Sequence, residues 1–158
     1  MFGHIDLKEV KECFYSEIWA RVCAFSQQIL IGHLILHKRK IIFDGKTMII
    51  GGAVGTCVKK QFRKQGVAER MMKIGLSALT KEKCDVACLN VDFEKGENAI
   101  KLYKKLGFTM MQRQISFEDS LGKVRHDSGT MFIPLCSVEK YNHIMESLVT
   151  FHYGRGYW

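Results

Sequence analysis

The sequence predicts an α/β (α+β) chain, a mixed and mostly antiparallel central sheet with helices on its flanks. Three features lead there. Asp44-Gly45 stands between the apolar runs Ile41 to Phe43 and Thr47 to Ile50, the strongest short-range hairpin signal in a sequence. Downstream of it, apolar spacing switches repeatedly between extended and helical, giving strand, helix, strand, helix and two further strands. The 158 residues are 47% hydrophobic and hold one proline, Pro134, so a single domain over 1–158 with one core is expected, without linkers or disorder.

The elements follow in order. Ile5, Val10, Cys13 and Phe14 mark a short amphipathic helix from Ile5 to Phe14 with Asp6 as its N-cap. From Ala20 to Phe43 the texture is β-branched and aliphatic, with Gln27-Gln28 as the turn between two strands. The hairpin at Asp44-Gly45 leads into a long strand ending near Val58. Val67, Met71, Ile74, Gly75 and Ala78 draw one apolar stripe along a helix from Lys64 to Leu79. Val86 to Phe93 reads as a buried strand, and Ala99, Ile100, Tyr103 and Leu106 as a helix from Asn98 to Leu106 that Gly107 ends. Strands are expected at Phe108 to Phe117 and Thr130 to Leu135, joined by the polar stretch Glu118 to Ser128.

Charge and cysteine usage narrow the classes. A formal net charge of +8 attracts anions, whether nucleic acid, anionic membrane or a phosphorylated small molecule. The six cysteines contain no CxxC pair and sit mostly in apolar stretches, which points to reduced thiols rather than disulfides or a zinc site. No signal-peptide layout is present, and the longest apolar run, Met48 to Val58, is too short to span a bilayer. The expected setting is the cytoplasm, with no membrane, nucleic-acid or metal partner; monomer and homodimer are both left open.

The chemistry concentrates between Val58 and Ala68, where a strand ends, a basic turn follows and a helix begins on small residues. A helix start presents unpaired N–H groups and the positive end of its dipole, a natural seat for a pyrophosphate. Lys59, Lys60, Arg63, Lys64, Arg70 and Lys73 crowd the same window. By these residues alone, an ordinary solvated helix start is an equal alternative.

The order R-x-x-G-x-A, as Arg63, Gly66 and Ala68 after Val58, resembles motif A of the GNAT acetyltransferases. Leu89-Asn90-Val91 followed by Ala99 to Phe108 resembles their motif B. The two motifs together cover about half the chain. The resemblance implies an acetyl-CoA-dependent N-acetyltransferase acting on a primary amine of a small molecule. It implies that Arg63, Lys64, Gln65, Gly66, Val67 and Ala68 hold the pyrophosphate of CoA, with Asn98 nearby. It further implies that Thr56, Cys57 and Val58 pair with the pantetheine arm, and that Tyr103 protonates the departing thiolate. Read without the motif, Tyr103 fills the apolar face of its helix. Where the family often has an asparagine before this helix, Gly96 stands.

Within the family, the layout from the Asp44-Gly45 hairpin into motif A is similar to that of aminoglycoside 2′-N-acetyltransferases. So is the finish, Gly129 to Phe132 followed by a tail ending in Trp158, which that likeness places in the acceptor pocket. Two positions that are acidic in that subfamily are Val54 and Gly156 here, so the architecture carries over better than the polycationic antibiotic. Asp92 is the first candidate for the general base, then the Trp158 carboxylate, then His33 or His37. Only nineteen residues precede Ala20, which leaves two expectations open: the family's first strand is absent, or the sequence is clipped at its start. Two alternatives stand beside the enzyme: a catalytically degenerate CoA-binding module, and a nucleic-acid binder, for which no recognition motif is present.

Overall fold

A computed structural model describes residues 16–92 and 96–158; the helix expected at Ile5 to Phe14 lies outside them. Gln27 and Gln28 both take positive φ, as do Asp44 and Gly45, so each two-residue loop twists with the strands it joins. Those loops link β1 (Ala20–Ser26), β2 (Ile29–Phe43) and β3 (Lys46–Val58) into an antiparallel meander. Helix α1 (Val67–Lys81) then carries the chain back to β4 (Val86–Asn90), which pairs with β3 in parallel. Helix α2 (Glu97–Lys105) ends at Gly107, whose φ of +101° is the left-handed stop expected there.

The stretch expected as one strand from Phe108 to Phe117 is broken. It forms β5 (Thr109–Met110) and β6 (Ile115–Glu118), which belong to different sheets. The polar connection also holds a strand, β7 (Val124–Asp127), because buried Asp119 accepts main-chain N–H bonds from Leu121 and Lys123 and closes a tight turn back onto β6. Beyond β8 (Thr130–Pro134) lie two elements the sequence reading did not anticipate, α3 (Val138–Glu146) and β9 (Phe151–Arg155). Ser137 caps α3 by accepting from the Lys140 amide, and Arg113 donates to the carbonyls of Ile144, Met145 and Val149 at its far end.

The main sheet runs β1-β2-β3-β4-β8-β5, and a smaller one runs β7-β6-β9. Leu34, Leu36, Met72, Leu79 and Leu89 form the core against α1 and α2 on one face. Ile50, Cys88, Phe132, Ile144, Phe151 and Tyr153 form the core on the other, where α3 and the small sheet pack. Mixed pairing with a mainly antiparallel sheet between helices is the expected architecture. Glycine makes the close layers possible: a Cβ on Gly51 would meet Leu79, and one on Gly52 would meet the ring of Trp158. Among the described residues no helix is long and apolar enough to cross a membrane.

Candidate active site

β3 and β4 are bonded only from Ile50↔Val86 to Gly52↔Cys88, after which they part. β3 runs on to Val58 with an extra residue at Gly55, whose φ of +61° bulges the strand out of register with β2 between His33 and Ile35. The unpaired edges of the two strands bound a cleft. Past the bulge, Thr56 turns toward the helices, and its hydroxyl lies 3.7 Å from Met72 Sδ.

The far end of β3 meets the basic turn. A 3₁₀ turn at Lys60–Phe62 leads to Lys64 and Gly66, both with positive φ, and α1 starts at Val67 rather than at the expected Lys64. Arg63 Nε donates to the Val58 carbonyl at 2.9 Å and Gln65 Nε2 to the Gln61 carbonyl at 3.1 Å, so two side chains brace the loop from outside. The main-chain amides of Lys64 to Glu69 have no acceptor among the described residues. No side chain caps Gly66, and a Cβ there would have nothing within 4 Å. A row of bare amides, an uncovered glycine and the positive end of a 15-residue helix fit a diphosphate.

Glu69 bonds Lys73 at 2.9 Å and Lys105 at 2.7 Å, tying α1 to the end of α2. That tie seats Tyr103 near the cleft, packed edge-on against Phe108 and 8% exposed. Burial pushes its phenol up from the ordinary tyrosine value, while the neighbouring Thr56 side chain opposes the rise. The structure thus brings Tyr103 and Thr56 together from opposite sides of the cleft. Cys57 and Val58, half-buried, continue the strand outward, and Asn98 sits exposed in the first turn of α2.

Asp92 is exposed just beyond β4. The glycine at position 96 has a structural cause: a Cβ there would collide with the Asp92 carbonyl oxygen. His33 lies half-buried opposite Cys57, outward of the bulge.

On the sheet face away from α1, Trp158 is 4% exposed and its indole covers Gly52. His37 stacks on it with ring centroids 5.7 Å apart and planes 9° from parallel, Arg39 lies 5.2 Å over it, and Tyr153 flanks it. Arg39 also donates to Ser16 Oγ and to the main-chain oxygens of Tyr153 and Arg155, anchoring the tail to β2. Asn90, quoted in the motif but given no role from sequence, is the hub. It donates to Tyr153 Oη at 2.7 Å and to the Trp158 main-chain oxygen at 3.3 Å, and accepts from Thr130 Oγ1 at 2.6 Å. A polar residue inside the apolar run Val86–Asn90 was the available signal. Among the described residues no cluster of three or more histidines, cysteines and acids could hold a metal.

Comparison with known proteins agrees with this geometry. Residues 16–110 match the model of the acetyltransferase (GNAT) domain. The chain is 30% identical over 103 residues to N-alpha-acetyltransferase 30 of Dictyostelium discoideum, covering 63% of this chain and 52% of that one. It therefore spans about half the length of the curated relative it matches. In fold it is similar to Chaetomium thermophilum Naa20 in complex with a bisubstrate analogue, at 17% identity, 94% and 92% coverage and a TM-score of 0.64. It is also similar to the ribosomal-protein-S18-alanine N-acetyltransferase of Escherichia coli, at 18% identity, 79% and 74% coverage and a TM-score of 0.56. With a parting strand pair, a bare helix start beside it and a family match over residues 16–110, the chain belongs to the GNAT acetyltransferase domain family.

Proposed function

We propose that the chain is an acetyl-CoA-dependent N-acetyltransferase whose acceptor is the α-amine at the N-terminus of a peptide. One observation carries the choice of acceptor: β1, β2 and β3, which wall the acceptor side, contain no acidic residue. Their open face instead carries Phe25 and Leu30, 63% and 43% exposed, with half-buried Ile35 and Val54 leading toward the cleft. An α-amine titrates at about 7.7 to 8.0, more than two units below a lysine-type amine, so much of it is neutral near pH 7.5. It needs no carboxylate to offset a buried ammonium, and the apolar strip suits the side chains that follow it. The name of the curated relative, an N-alpha-acetyltransferase, supports the same class.

The roles follow from position. Main-chain amides from Lys64 to Ala68 take the diphosphate, with Arg63 holding the loop from its side, and the edge of β3 at Thr56 to Val58 pairs with the pantetheine arm as an added strand would. The acceptor nitrogen attacks the thioester directly, and Tyr103, kept protonated by its burial, gives its proton to the departing sulfur. The free cysteines among the described residues suit a reducing compartment, and we place the enzyme in the cytoplasm.

A second reading, a small-molecule amine as in the aminoglycoside-type layout, draws on Trp158 lying over the acceptor side. It asks the acid-free strands to bind an ammonium. The test is thiol release from acetyl-CoA, followed with a thiol-reactive dye, across free peptides, N-acetylated peptides, polyamines and aminoglycosides. Release with free peptides alone is expected. Release only with small amines would replace the peptide by the second reading, and calorimetric CoA binding with no release anywhere would leave a binding module.

A further inference from the structure

His37 stands where the cleft opens. Its partner across β2 and β3 is Gly52, and Gly52↔Cys88 is the last bonded rung between β3 and β4. The ring is fixed on two sides, stacked on Trp158 and held by a 2.8 Å bond between Nδ1 and the Glu17 carbonyl oxygen. A carbonyl only accepts, so Nδ1 carries the proton and Nε2 keeps a bare lone pair. No described residue meets Nε2. The residue is 3% exposed, and burial lowers its pKa below the ordinary histidine value, with the Glu17 bond opposing and Arg39 assisting. Arg39 on its own strand is the charged side chain acting on it, while Tyr153 on β9 flanks the same Trp158 ring and Cys88 on β4 lies in the field of Arg39. The thiol and phenol are both pushed well up by burial, which leaves the guanidinium as the one charge among them.

We propose that His37 is the general base of the transfer, its Nε2 taking the proton that the acceptor nitrogen sheds. This rests on the acetyl-transfer reading above. The amine lone pair forms the C–N bond at the thioester carbon, and the nitrogen, now cationic, becomes a strong acid. Its proton passes to Nε2. The C–S bond then breaks with its electron pair on sulfur, which takes the Tyr103 proton. Imidazolium returns its proton to water and the phenolate regains one, so the net change is amine plus thioester to amide plus thiol. A base that stays neutral at pH 7 is ready on every turnover. His33, outward beyond the bulge and half-exposed, lacks both constraints on its ring.

The test compares His37→Gln and His37→Ala with the unmodified protein in kcat/KM over roughly pH 5 to 9 with a peptide acceptor. CoA titration calorimetry and urea midpoints are taken on the same samples. Loss of general-base catalysis lowers kcat by at least about 100-fold and removes an acidic limb whose midpoint lies below the ordinary histidine value of about 6.5, with CoA affinity preserved. Nitrogen-15 NMR of labelled histidine should show the Nδ1–H tautomer. A limb that survives in His37→Gln, a kcat within about threefold of the original, or an Nε2–H tautomer overturns the assignment. If the variants lose CoA affinity or stability, imidazole added to His37→Ala decides: turnover rising with imidazole supports the base, and no rescue refutes it. Absence of thiol release from the unmodified protein with every acceptor would instead refute the parent reading.

Discussion

Gly52 and Trp158 should behave as one unit, and the size of their coupling can be worked out. A Cβ placed on Gly52 would lie 2.5, 2.9 and 3.0 Å from Cε3, Cδ2 and Cζ3 of the indole, where carbon contacts rest at about 3.5 to 4.0 Å. Gly52→Ala therefore pushes the ring off by about 1 Å. Overpacking of that kind costs about 1–3 kcal/mol, against which alanine returns about 0.5–1 kcal/mol of strand entropy. The single change should thus destabilise by at most about 2.5 kcal/mol. Trp158→Ala empties a site that is 4% exposed and should cost about 3–5 kcal/mol. In that background the methyl at position 52 enters vacated space, and the same substitution turns stabilising by about 0.5–1 kcal/mol. The entropy gain cancels across the double-mutant cycle, so the coupling equals the overpacking term, about 1–3 kcal/mol. Urea unfolding followed by far-UV ellipticity measures all four proteins without relying on tryptophan fluorescence, since Trp19 is the only other tryptophan. Additivity to within about 0.5 kcal/mol would mean that the indole does not rest on Gly52, and the proposed acceptor wall would fall.

Tyr103→Phe should lower kcat by about 10²- to 10⁴-fold while CoA affinity in calorimetry stays unchanged; full turnover would remove the acid. Gly66→Val introduces a branched side chain at φ +76°, costing about 1–2 kcal/mol in a urea titration, yet it meets no protein neighbour. Its larger effect should be a CoA Kd raised more than about tenfold, because the side chain stands where a diphosphate must approach. Stability should fall on the alkaline side. Tyr103, Tyr153, Tyr157, Cys84 and Cys88 all have pKa values raised by burial, so the folded chain holds protons that the unfolded chain has released, and rising pH favours unfolding. Cys84, pushed up from 9.0 to about 11, contributes to that slope, so Cys84→Ala should flatten urea midpoints plotted against pH in this window.

The donor half of the proposed site could be read from sequence because it is local. Val58 to Ala68 is one strand end, one turn and one helix start, and every group proposed to touch the diphosphate is main chain within that span. A single pattern of glycine, alanine and apolar spacing therefore carries it. The hairpins at Gln27-Gln28 and Asp44-Gly45 were readable for the same reason, each being settled by two residues of positive φ. Where the sequence reading failed, distant contacts decided the outcome. Phe108 to Phe117 has enough apolar residues for one strand, but Met110 pairs with Met131 of β8 while Ile115 pairs with Asp127 and Phe151, and the chain must change sheets between them. Gly96 looked like a lost functional residue because an asparagine is common there. The Asp92 carbonyl leaves no room for any Cβ, so the glycine answers to backbone packing.

The proposed acceptor half is assembled from side chains far apart in the chain, which is why no local pattern announces it. Asn90 reaches a residue 68 positions away, and the His37 ring is oriented by a carbonyl 20 positions earlier. Each member looks ordinary alone: a polar residue in a strand, a histidine between a leucine and a lysine, a glycine pair, a tryptophan in a tail. What makes them a candidate site is that β3 and β4 separate just past Gly52, and all four converge on that point. The two halves therefore answer to different constraints. Substituting the lysines at Lys59, Lys60 and Lys64, while leaving Arg63 to brace the loop, should leave CoA bound through main-chain amides, with only its electrostatic attraction weakened. Changing one of His37, Gly52, Asn90 or Trp158 should move the other three, so acceptor selectivity should drift as a group while donor binding holds.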